Sequence, residues 1–131
     1  MEWRGHIARY GEGWFPGEPW VRRTFVLLFI LAGLLRLWNL PHLPYTHDEL
    51  SALMRLYPTL GETIHRGVME LDTHPPGVHV FEWCWTRLFG TDEAWVKLPF
   101  ILLALVALFF HYRFALAWTS AGTALAMTAL L

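Results

Sequence analysis

Two apolar blocks constrain this chain more than any other feature. Phe25-Val-Leu-Leu-Phe-Ile-Leu-Ala-Gly-Leu-Leu35 holds no polar side chain, and Ala94–Phe110 is broken only by Lys97 near its start. Unbroken apolar runs of this length lack the alternation of a half-exposed strand and the polar face of a surface helix, so they call for lipid. The remainder agrees: only 16% of the residues are charged, against roughly 25% in an average soluble chain. The net charge of -1 supplies no basic surface for nucleic acid. The single cysteine, Cys84, excludes an internal disulfide and a cysteine-built zinc site.

Along the chain these blocks imply an all-α integral membrane protein with about four transmembrane helices. Residues 1–23 form an N-terminal segment whose Trp3, Trp14, Phe15 and Trp20 suit a membrane surface, although a poorly ordered tail fits as well. A first span is expected over 24–40, with Arg36 snorkelling near its end. A cleaved signal is disfavoured because no small-residue site follows. The polar interlude 41–75 opens at Pro41 and Pro44. It holds two short amphipathic helices, one through Leu50, Leu53, Met54 and Tyr57, the other from Pro58 to a stop near Gly67. A weak second span over 76–89 carries His79, Glu82 and Arg87, and ionisable groups there face protein, not lipid. Within it Glu82 has Arg87 or Arg36 as candidate partners, and Cys84 reads as a packing residue. A third span is expected over 94–112, with His111-Tyr-Arg-Phe114 either a connection or the polar end of a longer helix. A fourth runs over 115–131 without a cap, which predicts a chain truncated within a larger protein.

Lysine and arginine counts orient the spans. Four arginines precede residue 24, whereas the 41–75 loop has Arg55 and Arg66 beside five carboxylates. The N-terminus is therefore expected in the cytoplasm and the loop outside.

That loop gathers the candidate chemistry: Thr46-His47-Asp48-Glu49 near its start, and Glu70-Leu71-Asp72-Thr73-His74-Pro75-Pro76 at its end. Both clusters adjoin a span, so the loop can bring them together. Paired carboxylates at a low-dielectric boundary suit general-base work. They also suit a divalent cation, with His47 or His74 as nitrogen ligands. Asp48 before a helix is equally a normal N-cap, and Asp72 before Pro75-Pro76 a normal turn former.

Asp48-Glu49 after a first span, then Asp72-Thr-His-Pro-Pro-Gly77, then Phe89-Gly90 and Trp95-Val-Lys-Leu-Pro99, resembles the dolichyl-phosphate-mannose protein mannosyltransferases. It is also similar to the lipid A aminoarabinose transferases, and the likeness covers about residues 22–131. It departs at Gly77, where many members carry Leu, and at Lys97, where Arg is common. The resemblance implies a GT-C type glycosyltransferase in a bacterial-type inner membrane, with a polyprenyl-phosphate sugar as donor and a protein or lipid hydroxyl as acceptor. Asp48 would be the base and the sugar would invert. Glu49 would orient the base or bind the acceptor, and Asp72 and His74 would shape the donor site. Arg55 or Arg66 would face the leaving phosphate. Some members hold a divalent cation and others none; Asp48, Asp72 and His74 are the ligands where one is held. The later helices and basic residues of such enzymes are missing from this stretch, so it is expected to be inactive alone. Two other classes fit the same residues: a metal-dependent membrane hydrolase using His47, Asp48, Asp72 and His74, and a non-catalytic helical membrane protein. The first lacks a His-Glu-x-x-His helix.

Overall fold

The computed structural model describes residues 18–70 and 75–131, and every regular element among them is helical. The helices are α1 (Pro19–Leu37), α2 (His47–Met54), α3 (Leu60–Glu62) continuing as a π-helix (Thr63–Glu70), α4 (Gly77–Phe89), α5 (Glu93–Trp118) and α6 (Ala121–Ala129). Trp3, Trp14, Phe15, Asp72 and His74 lie outside the described residues.

Two stretches are long and apolar enough to cross a membrane, Pro19–His42 and Glu93–Trp118. Only 11% and 28% of their most apolar windows are buried within the chain, unlike the core helix of a soluble protein. The apolar side chains of α5 run round its whole circumference, as suits a lipid-embedded helix. A span needs about 20 residues. Helix α4 has 13 and α6 has 9, so neither reaches that length.

The chain divides into two compact units. One combines the described residues up to Trp38 with Phe100–Leu131. Its core joins Val21 and Phe25 of α1, Tyr112, Ala115 and Leu116 of α5, and Ala124 and Leu125 of α6. The Phe25 ring lies 4.5 Å from Tyr112 and meets Phe109 edge-on at 6.1 Å. Small side chains at Ala115 and Ala124 allow close helix approach, which matters where lipid removes the hydrophobic drive for helix association. Helix α5 runs on through His111-Tyr-Arg-Phe114 and ends only at Trp118. The next helix starts because the Ser120 hydroxyl accepts the Thr123 amide at 3.2 Å. Arg36 donates to the carbonyls of Ala32 and Leu131.

The second unit is Asn39–Pro99. Asn39 takes the left-handed conformation just past α1, a role asparagine tolerates. Helix α3 does not stop at Gly67. It widens into the π-helix, which packs on α4 and runs to Glu70. Gly67 is needed because a Cβ there would overlap the Arg55 carbonyl oxygen. Thr63, fully buried, accepts the Tyr57 amide at 2.9 Å and donates to the Thr59 carbonyl at 3.1 Å. An aromatic row of Phe81, Trp85, Phe89 and Trp95 runs along α4 onto α5, with centroids 4.2–5.7 Å apart. Cys84, expected to pack, is exposed.

Candidate functional site

The site lies in the second unit, around the start of α2. Thr46, not Asp48, is the N-cap of that helix. Its hydroxyl accepts the Glu49 amide at 3.3 Å, and the Glu49 carboxylate accepts the Thr46 amide at 2.8 Å. This capping box satisfies two amides that the helix cannot pair internally. It corrects the N-cap reading of Asp48: the cap falls two residues earlier because threonine and glutamate three apart serve the amides reciprocally.

Asp48 occupies the second position of the helix. It is exposed, and among the described residues no hydrogen bond or ion pair engages its carboxylate. The helix dipole favours its negative charge there. Glu49, one residue on, is engaged twice. Besides the capping bond, its carboxylate lies 3.7 Å from the Lys97 ammonium. Lys97 also donates to the carbonyls of Leu43 and Pro44, each at 2.7 Å, and lies 5.6 Å from the centre of the Tyr45 ring. The Tyr45 hydroxyl donates to the Thr91 carbonyl. Partial burial, and then the charges of Glu93, Asp92 and Glu49, hold the Tyr45 phenol above its ordinary pKa. Residues 43–49 are thereby fastened to residues 91–97.

Arg55 lies at the C-terminal end of α2. Arg66 is exposed on the π-helix, 5.9 Å from the Tyr57 ring. Neither borders the open cleft of about 500 Å³ in this unit, which is lined by Tyr45, Met54, Tyr57, Trp83, Arg87 and Thr91 among others. Arg87 stacks on Trp83 at 5.0 Å and donates to the Pro58 carbonyl at 2.5 Å, while the Trp83 indole donates to the Tyr57 carbonyl at 3.0 Å. Glu82 therefore pairs with neither of its expected partners. It is buried beside His79, 3.9 Å away, while Arg87 turns to Pro58 and Arg36 to its own helix and Leu131.

Of the expected site residues, Asp48 and Glu49 stand together at one helix start, whereas Asp72 and His74 lie outside the described residues. Among the described residues, no three histidine, cysteine or acidic side chains come close enough to hold a metal ion. Sequence reasoning missed the cleft and the part played by Lys97. The Thr46-x-x-Glu49 pattern is itself a capping-box signature, so the true cap was available to it. Comparison with family models, curated proteins and solved structures finds no match to this chain.

Proposed function

We propose that this chain forms part of a GT-C type membrane glycosyltransferase, which moves a sugar from a polyprenyl-phosphate carrier to a hydroxyl of a protein or lipid. The observation that carries this reading is the contrast between neighbours: Glu49 is held by the capping box and Lys97, while the exposed Asp48 carboxylate has no hydrogen bond or ion pair among the described residues. A carboxylate so placed is free to accept a proton from an incoming hydroxyl. In this reaction the acceptor oxygen, deprotonated by Asp48, bonds to the anomeric carbon as the carbon–phosphate oxygen bond breaks, and the configuration inverts. Glu49 orients the helix start that bears Asp48. The cleft offers aromatic faces for a sugar ring, and Arg87 on its wall supplies positive charge for the leaving phosphate, whereas Arg55 and Arg66 lie outside the cleft.

The proposal keeps four membrane segments, with α1 and α5 crossing the bilayer and α4 and α6, each shorter than a span, entering it as the second and fourth. The N-terminus would be cytoplasmic and the 41–75 loop at the outer face of a bacterial-type inner membrane. Asp72 and His74 would complete the donor site, with or without a divalent cation.

Membranes from cells expressing the gene in its native frame test this, using a polyprenyl-phosphate donor labelled in its sugar. The expected result is label passing to a protein or lipid acceptor with inverted configuration. Label released only to water would instead support the hydrolase, and label that never leaves the carrier would support the non-catalytic protein.

A further inference from the structure

Resting on the glycosyltransferase reading, we infer that Lys97 is a positioning residue that pins the helix start bearing Asp48, and is not a ligand of the donor phosphate. A lysine ammonium has three hydrogens. Here two go to the Leu43 and Pro44 carbonyls at 2.7 Å, and the third side faces Glu49 at 3.7 Å. The Lys97 side chain is only 11% exposed, so little of it is open to a ligand. Its partners are chosen by place: Leu43 and Pro44 lead directly into the Thr46 cap, and Glu49 closes the capping box. One cation on α5 thus fixes both sides of the helix start that carries Asp48. A base held within a few tenths of an ångström of its working position matters more to the rate of a step than to the affinity for substrate.

The test compares Lys97→Met and Lys97→Arg with wild type, each expressed in the native frame and reconstituted in lipid. Hydrogen exchange is followed over residues 46–50 and, as a folding control, over residues 105–116 of α5. Turnover is followed with a polyprenyl-phosphate sugar. In Lys97→Met, exchange over 46–50 should rise about tenfold while 105–116 stays unchanged. Its kcat should fall about tenfold or more with donor KM held within about twofold, and Lys97→Arg should restore both. If the methionine variant loses protection over 105–116 as well, Lys97→Gln takes its place with the same expectations. Unchanged exchange over 46–50 would overturn the inference, as would a rise in donor KM at constant kcat. Wild type without any transfer would defeat the glycosyltransferase reading by itself, and the exchange comparison would then judge the pin alone.

Discussion

The indole N–H of Trp85 donates to the Trp95 carbonyl at 2.7 Å. That carbonyl is free for it because Pro99, four residues on within α5, has no N–H to offer. The proline that interrupts the backbone ladder of α5 is thus answered by a side chain from α4. Replacing Trp85→Phe should cost about 0.5–1.5 kcal/mol, the usual net contribution of one hydrogen bond. In a Pro99→Ala background the new amide takes the Trp95 carbonyl, so the same replacement should lose most of that effect. A double-mutant cycle read by denaturation in detergent measures the difference, and equal costs in both backgrounds would disprove the link.

Thr46→Ala removes the hydroxyl that accepts the Glu49 amide and should destabilise the start of α2 by about 1 kcal/mol. Hydrogen exchange over residues 47–50 should quicken accordingly, while Thr46→Ser stays close to wild type. Similar exchange for alanine and serine would mean that the cap does not hold the helix start.

Gly67→Ala places a methyl group against the Arg55 carbonyl oxygen and the Arg55 Cβ. Overpacking against backbone typically costs about 1–3 kcal/mol. The π-helix should shift away from the end of α2, lowering the melting temperature. Gly61→Ala, where the added Cβ meets nothing, serves as the comparison.

Tyr45 gives a pH prediction. Partial burial and the neighbouring carboxylates favour its neutral phenol, so its folded pKa lies above the unfolded one. The stability from the neutral form is fully present below the unfolded pKa and is lost as pH rises through the folded one. The phenol-to-Thr91 bond should therefore loosen only in strong alkali. A spectrophotometric titration of wild type minus Tyr45→Phe should isolate one tyrosine with a midpoint above the ordinary value. A difference curve centred at the ordinary value would contradict this.

The two long helices were legible because unbroken apolar runs need no tertiary information. Helix α1 nevertheless starts at Pro19, ahead of the first apolar block, because proline suits a first helical turn. The joint after Trp118 was harder to see: Thr119 and Ser120 are small side chains that a long helix also tolerates, and it is the Ser120 hydroxyl, accepting the Thr123 amide, that marks the new start. Gly67 misled in the opposite sense. Glycine reads as a stop along the sequence, yet here it permits a close approach to Arg55. Within the site, Asp48 and Glu49 stood out as a pair, but the added hold on the Glu49 carboxylate comes from Lys97, which lies far along the chain from its partners at 43–49. No local pattern encodes that meeting.

The proposed division of labour gives the chemistry to Asp48 and the structural hold to Glu49. It is tested most directly by measuring sugar transfer for Asp48→Asn and Glu49→Gln in the native frame, alongside hydrogen exchange over residues 46–50. A general base contributes about 10²–10⁴-fold. Asp48→Asn should lose that much activity with exchange unchanged, and Glu49→Gln should lose less, with faster exchange. Full transfer activity in Asp48→Asn would contradict it.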